Sequence, residues 1–539
     1  MTSQTKEDDE LEKVLQRARR NTLSDILTRT ASRMPDKPAV AYNQQRLTYK
    51  QLNDLVNVTS HGLRKDGIKK GTMIAVLSHN SLDFVVINFA LARLGAVMVP
   101  LNYMLQAEDI RYILEHAKIE GFAASRTLAP VLDEAAAEST ASISFRYIMD
   151  KTDEEPHSRE LARWQLLSSL REGMPDYLVE EDIEEDDLAQ VLYTSGTESK
   201  PKGVMLTHRS LLGEYVSCVV DGHMEASDIV IHALPLYHSA QLHVFLGPAV
   251  YLGSSGIILP QASPEIILET IEKEKATQLF CPPTVWIALL RHSDFNKRDL
   301  TSLKKCYYGA AIMPKEVMKE LSERLPQARF WNFYGQTEVA PLATALQPED
   351  QLRKLGSAGK PVLHVETKIV DENDKEVSRN EIGEIIHRSP HAMKGYLHDP
   401  AKTADAFRNG WFHSGDLGVM DKEGYITIID RKKDMINTGG VNVSSREVEE
   451  AIYQYEGVSE VAVVSIPDPY WIEAVTAIIV PKEGVELKVS EIKSFCKSRL
   501  ANYKVPKFIE ITEQLPKNPS GKLLKRTLRE KYKDIGSNN

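Results

Sequence analysis

A chain of 539 residues is long enough for roughly three or four compact units, or for fewer large α/β ones. Shares of 42% hydrophobic and 26% charged residues are those of an ordinary folded, water-exposed protein, which excludes wholesale disorder and a multi-span membrane chain. A formal net charge of −10 sets the overall field against polyanions, so nucleic acid is not an expected partner. The opening MTSQTKEDDELEKVLQRARR is charged from Lys6 onward and lacks the apolar stretch of a secretory signal, which makes the cytoplasm the expected compartment. Four cysteines, Cys218, Cys281, Cys306 and Cys496, show neither metal-ligand spacing nor disulfide density, a usage that fits a reducing interior.

In chain order, the strand-like MIAVLS (73–78) precedes the helix-period SLDFVVINFALARLG, then AVMVPL, then the amphipathic QAEDIRYILEHA. Such alternation predicts parallel sheets covered by helices. The acidic run EEDIEEDDL (180–188) reads as a solvated approach to the strand AQVLY rather than a metal site. Next comes YTSGTESKPKG (193–203). A Walker loop would need a hydroxyl after its lysine, and Lys202 is followed by Gly203, so that reading fails. The stretch still suits phosphate: Thr194, Ser195 and Thr197 offer hydroxyls, Gly196 lets backbone amides approach, and Lys202 supplies charge.

From Ile229 to Pro264 there is no Asp, Glu, Lys or Arg, yet Pro235, Gly247, Pro248 and the Gly-Ser-Ser-Gly of 253–256 break the run, so a spanning helix is not expected. Beyond residue 430 the texture changes, from the polar DRKKDMINTGG to a compact pattern of EVEEAIY, VAVVSIP, AVTAIIVP and IKSFCKSRL. The expected division is an N-terminal unit over 1–429, a hinge at 430–434 and a smaller C-terminal unit over 435–539.

These motifs, in this order, resemble those of the adenylate-forming enzymes, the superfamily of acyl-CoA synthetases, peptide-synthetase adenylation domains and firefly luciferase. The likeness runs through LTYKQLNDLVN, the loop at 193, ALPLYHSAQ, YYGAAIMP, NFYGQTEVAP, GWFHSGDLG, DRKKDMINTGGVNVSSREVEEAI and PKNPSGKLLKR. It implies a large N-terminal domain of parallel and mixed sheets covered by helices, with a small mobile α+β C-terminal domain. The implied substrates and cofactors are ATP, Mg²⁺, coenzyme A and a small-molecule carboxylic acid, and a homodimer is compatible with the family.

Residue by residue, the resemblance places Thr337 on the α-phosphate, Glu338 with Thr194 on Mg²⁺, Tyr334 against adenine, and Gly335 and Gln336 in the same turn. Gly309, Ala310 and Ala311 look like the small-residue strip beside the base. Asp416 and Arg431 would hold the ribose with Ile428 packed nearby, and Lys522 would bridge the substrate carboxylate and the α-phosphate. In the block that carries an ammonium-binding aspartate in amino-acid-activating relatives, this chain has Tyr237, His238 and Ser239, so an α-amino acid is not expected. His238 resembles the gatekeeping histidine of fatty-acyl and aryl-CoA ligases, and Cys281, Trp286 and Tyr308 are the expected acyl-pocket wall.

The implied reaction has two halves, acyl-AMP formation with release of pyrophosphate, then displacement of AMP by a thiol. Rotation at Lys433 would exchange Lys522 for Gly439 and Gly440 beside the thiol's path. Two departures from the family pattern stand out: Glu198-Ser199 replaces the usual Thr-Gly, and Tyr308 stands where glycine is common. The reading is a medium- or long-chain fatty-acid-CoA ligase. The alternatives are an aryl-CoA ligase, an acyl-AMP ligase loading a carrier protein, and a catalytically silent ligand-binding protein on the same fold. No carrier segment follows PKNPSGKLLKR, which favours coenzyme A as acceptor.

Overall fold

A computed structural model describes residues 3–149, 163–194, 200–311, 313–432, 434–518 and 523–535, with side chains from residue 11 onward. Two large sheets form the N-terminal unit. In the eight-stranded sheet, Met73–Leu77 lies between the parallel strands Val97–Pro100 and Gly121–Ala124. Beyond Val97–Pro100 come Leu188–Thr194 and, antiparallel to it, Lys202–Thr207. Unbroken burial of Val97–Pro100 and near-unbroken burial of Met73–Leu77 is what a parallel strand with both faces covered requires.

In the nine-stranded sheet, Ile229–His232, Gln278–Phe280, Lys305–Gly309 and Arg329–Gly335 run parallel, and Leu342–Leu346 turns back antiparallel. The helix Leu82–Arg93 is buried from Phe84 to Arg93 and lies between the two sheets, touching Val97–Pro100 of one and Pro38–Tyr42 of the other, in the core that also holds Phe280, Tyr307 and Trp331. Being apolar on every side is what fits a helix for that position. Its last residue, Arg93, donates to Ser24 Oγ (2.8 Å), Thr28 Oγ1 (3.0 Å), Asn53 Oδ1 (3.2 Å) and Asn57 Oδ1. Burial pushes this guanidinium down to about 10, and the neutral acceptors make its charge tolerable there.

A smaller antiparallel sheet, Glu366–Val370, Gly383–Arg388, Trp411–Met420 and Ile426–Arg431, packs around Ile369, Ile385, Met420 and Ile426. The C-terminal unit has its own sheet, built on the hairpin Val458–Asp468 with Ile472–Pro481, and its own core. It docks through its first helix, Ser445–Tyr453. Asp430 accepts from Ser445 N (2.7 Å) and Oγ (2.8 Å), and Arg446 donates to the carbonyls of Ile428 and of Gly356 (3.1 Å). The architecture is therefore α/β in the large unit with a small α+β unit behind it.

Ile472 opens its strand at φ +70°, 63% exposed, a backbone region that β-branched residues avoid. Holding that conformation costs an L-residue about 1–2 kcal/mol, while glycine loses about 0.5–1 kcal/mol more backbone entropy on folding. Ile472→Gly is expected to stabilise the protein by up to about 1 kcal/mol, read as a higher denaturant midpoint; a lower midpoint would contradict the left-handed assignment.

Candidate active site

The C-terminal ends of strands from both large sheets open onto a cavity of about 840 Å³. Loops at strand ends are where α/β sheets place ligands. Strand Arg329–Gly335 delivers Tyr334, and a tight turn then presents Thr337 and Glu338 to the same space. Gly335 permits that turn: a Cβ there would lie 1.7 Å from the Pro341 carbonyl oxygen. Thr337 Oγ1 is 3.2 Å from Ser239 Oγ, which ties the turn to the segment carrying His238. His238 lines the cavity and its Nδ1 accepts from the Ala240 amide at 3.2 Å.

Asp416 and Arg431 face each other on neighbouring antiparallel strands, Nε to Oδ1 3.5 Å. The buried Asp416 carboxylate also accepts from the Tyr334 hydroxyl (2.7 Å) and Gln336 Nε2 (3.0 Å), so one acid anchors three cavity-lining residues. Glu338 Oε1 accepts from the Tyr396 hydroxyl at 3.0 Å. Burial is the main cause that raises the Glu338 carboxyl above its ordinary range, with the Tyr396 bond and the charges of Lys202 and Arg431 partly opposing it. The Lys202 amine sits 5.0 Å from the centre of the Tyr396 ring. Thr194, Lys202 and Ala310 complete this polar end.

The other end is apolar. Phe280 and Phe245 stack at 4.6 Å between centroids and 17° between planes, and Phe333 lies beyond at 6.2 Å. Val244 and Phe245 belong to a π-helical turn, Leu242–Leu246, a geometry that recurs at functional sites. His243 of that turn is bonded to the Tyr215 hydroxyl (3.0 Å) and Gln190 Oε1 (3.0 Å), so buried polar bonds fix the backbone that presents the apolar wall.

Three expected wall residues face elsewhere. Cys281, Trp286 and Tyr308 lie in the second hydrophobic core on the far side of the nine-stranded sheet, with the Tyr308 hydroxyl donating to Gln351 Oε1 at 2.7 Å. The reason is strand parity: Phe280 and Tyr307 point to the core shared by the two sheets, so their neighbours Cys281 and Tyr308 point away. Tyr308 therefore neither shortens nor gates the cavity.

Gly309 serves strand packing, since a Cβ there would lie 2.3 Å from the Phe333 carbonyl oxygen, and Ala311 is exposed outside the cavity lining. Ile428 packs beside Tyr334 in the small core and does not line the cavity. Gly439 and Gly440 form a hairpin turn at φ +61° and +85°, away from the cavity. The C-terminal unit reaches the cavity through Asn518 instead. Ser195, Gly196, Thr197, Glu198, Lys433 and Lys522 lie outside the described residues.

Sequence reasoning missed Tyr396, Phe280, Phe333, Glu384 and Lys432, all of which line the cavity. Alternation from Cys281 would have found Phe280; nothing local marks Tyr396, which is brought in by pairing of Gly395–Tyr396 with Lys202–Thr207. Among the described residues no group of three or more His, Cys, Asp or Glu could hold a metal ion, and no helix is long and apolar enough to cross a membrane. A single carboxylate such as Glu338, in a cavity that the Thr194 hydroxyl also lines, nevertheless suits a hard divalent cation, which completes its shell with water and substrate phosphates.

Comparison with known proteins gives two family matches: the profile described as AMP-binding enzyme covers residues 27–397, and that of the AMP-binding enzyme C-terminal domain covers residues 447–522. The chain is 34% identical to a feruloyl-CoA synthase of Amycolatopsis sp over 507 residues, 94% of this chain and 98% of the relative. It is also 34% identical to a long-chain-fatty-acid-CoA ligase of Bacillus subtilis (strain 168) over 533 residues, 94% of each. The structure of an anthranilate CoA ligase with anthranoyl-AMP superimposes with a TM-score of 0.88 at 25% identity, covering 96% of this chain and 98% of that one.

Proposed function

The chain belongs to the AMP-binding enzymes, as an acyl- or aryl-CoA ligase of the adenylate-forming superfamily, and on that premise we propose that it activates a medium- or long-chain fatty acid with ATP and passes the acyl group to coenzyme A. The observation that carries the fatty-acyl reading is the apolar end of the cavity, lined by Phe280, Phe333 and by Val244 and Phe245 of the segment 229–264, which has no Asp, Glu, Lys or Arg.

In this reading Tyr334 lies along adenine, Asp416 and Arg431 take the ribose, and Lys202 and the hydroxyl of Thr194 hold the triphosphate. Thr337 orients the α-phosphate, while His238 stands between the nucleotide and the acyl chain. A carboxylate oxygen attacks the α-phosphorus as the bond to pyrophosphate breaks; the coenzyme A thiolate then attacks the acyl carbon and AMP leaves. Each step brings anions together, so positioning and positive charge supply most of the rate. Magnesium, when bound, neutralises the phosphate oxygens, and Glu338 with Thr194 would hold it. The division at 430–434, with Lys433 as pivot and Gly439 and Gly440 guiding the thiol, belongs to this proposal, as does a cytoplasmic setting.

A second reading, an aryl acid, is favoured by the near-parallel Phe245 and Phe280 rings, which offer flat walls to a planar substrate. Pyrophosphate release with Mg·ATP, measured across aliphatic acids from acetate to palmitate, cinnamic and benzoic acids and several amino acids, with and without coenzyme A, separates the readings. An aliphatic optimum that needs coenzyme A for turnover supports the proposal. An optimum among aryl acids replaces it with the second reading; turnover without coenzyme A dependence points to a carrier-protein acceptor, and silence throughout to a binding protein.

A further inference from the structure

Glu214 is fully buried on the helix His208–Asp221, and among the described residues no Lys, Arg or His bonds to it. Its Oε1 accepts from the Leu342 amide at 3.1 Å and from the Cys218 thiol at 3.8 Å, while Oε2 has no partner. Burial is the main cause that raises this carboxyl well above its ordinary range, against the two bonds, so Glu214 stands as an un-ionised acid. Such a group is costly to bury. It does not line the cavity, but Leu342 does.

Leu342 opens the strand that follows the turn presenting Thr337 and Glu338. That turn is strained: Ala340 is held at φ +69°, a left-handed region that a non-glycine residue keeps only where its surroundings enforce it. Within the turn the Gln336 amide donates to the Pro341 carbonyl at 2.9 Å, and from outside the Met393 amide donates to the Glu338 carbonyl at 2.8 Å. At the turn's far end, the strand Lys360–Pro361 pairs with Thr344 and Ala345 and stops short of Leu342. Buried side chains take up both backbone groups of Leu342 instead. Glu214 accepts from the amide. His391 Nδ1 donates to the carbonyl at 3.3 Å, its Nε2 accepts from the Ser217 hydroxyl at 3.1 Å, and Ser217 Oγ accepts from the His364 amide at 3.3 Å. Burial, the main cause, holds His391 down to about 4, and a neutral ring with its proton on Nδ1 satisfies both of its bonds.

Glu214, Ser217 and Cys218 stand at i, i+3 and i+4, on one face of one helix. The same helix carries Tyr215, whose bond to His243 fixes the π-helical turn of the apolar wall. We propose that Glu214 is a positioning residue for adenylation: by holding the Leu342 amide, with His391 on the carbonyl, it fixes the turn that sets Thr337 and Glu338 against the nucleotide and its cation. An apolar residue at 214 would leave that amide buried without a partner, and the turn would shift to find one. The proposal rests on the ligase reading for the roles of Thr337 and Glu338, but not for the clamp itself.

Three variants of the full chain test it. Glu214→Leu removes the acceptor, Glu214→Asp withdraws the carboxyl by one methylene, and Glu214→Gln offers a carboxamide oxygen to the same amide. The readouts are the magnesium concentration that gives half the maximal rate of pyrophosphate release, and amide hydrogen exchange at Leu342. Glu214→Leu is expected to raise the half-saturating magnesium about fivefold and to speed exchange about tenfold, the worth of one buried hydrogen bond. Glu214→Asp should move both in the same direction, and Glu214→Gln should bring both back to within about twofold of the unaltered chain. In a Glu338→Gln background, Glu214→Leu should leave the magnesium dependence where Glu338→Gln alone puts it, a non-additivity that lost stability does not produce. The proposal is overturned if Glu214→Leu or Glu214→Asp leaves either readout as in the unaltered chain, or if Glu214→Gln is as impaired as Glu214→Leu. Should Glu214→Leu not fold, Glu214→Asp and Glu214→Gln decide by the same two readouts. An unaltered chain that releases no pyrophosphate with any acid would defeat the ligase reading, and exchange at Leu342 would still decide whether Glu214 holds the turn.

Discussion

Replacing Lys522 by alanine is expected to slow acid-dependent pyrophosphate release by about 10²- to 10³-fold, the usual cost of removing one transition-state charge contact, while sparing thioester formation from supplied acyl-adenylate. The split follows from what each half-reaction asks of one lysine. In adenylation, two anions approach and negative charge builds on the α-phosphate oxygens, so a cation that bridges them is worth most at the transition state. In thioester formation the acyl group is already activated and AMP is the leaving group, and that lysine is no longer between colliding charges. Asn518, which precedes the catalytic motif's lysine on the same segment, lines the cavity, whereas Gly439 and Gly440 do not. On the proposal above, adenylation is the half-reaction that calls for the segment carrying Asn518 at the cavity. A quenched-flow measurement of each half-reaction separately is the check. Equal loss in both would refute the exchange of Lys522 for the glycine turn.

Glu338→Gln is expected to lower kcat/KM by about 10²-fold at a fixed magnesium concentration. Glutamine keeps the shape and can still accept from the Tyr396 hydroxyl, so the loss reports the missing charge rather than a collapsed turn. The same residue sets an acid limb in the pH profile. Its carboxyl titrates above the ordinary range because it is buried, and only the ionised form can hold a divalent cation. Activity should be full above that raised pKa and fall as pH drops through it. More magnesium should move the limb to lower pH, since the cation and the proton compete for the same oxygens. In Glu338→Gln that magnesium-dependent limb should be absent. An unchanged magnesium dependence in the variant would remove Glu338 from the metal site.

Much of the site was legible in the sequence because its residues come in short runs whose spacing is itself chemical. Tyr334 to Glu338 is one turn, and Thr194 with Lys202 frames one hairpin; the structure brings both to one cavity together with Asp416, Arg431 and His238. The acyl wall was misread for an equally physical reason. Cys281 and Trp286 are apolar and follow a strand, and Tyr308 stands where glycine is common, but a strand sends alternate side chains to opposite faces, and which face meets the cavity depends on which sheet covers it. Here the second large sheet and the helix Leu82–Arg93 take the side of Phe280 and Tyr307, which leaves Cys281 and Tyr308 to the outer core.

The sequence by itself determined the layered α/β architecture, the order of the phosphate, adenine and ribose motifs, and membership of the adenylate-forming family, since all three rest on local period and local spacing. Tertiary structure alone decided which apolar residues wall the substrate and that Tyr396 supports Glu338 across 58 positions of chain. Those facts depend on pairing between segments far apart in the chain, such as Gly395–Tyr396 against Lys202–Thr207, and no local propensity encodes which distant strand will close a given edge.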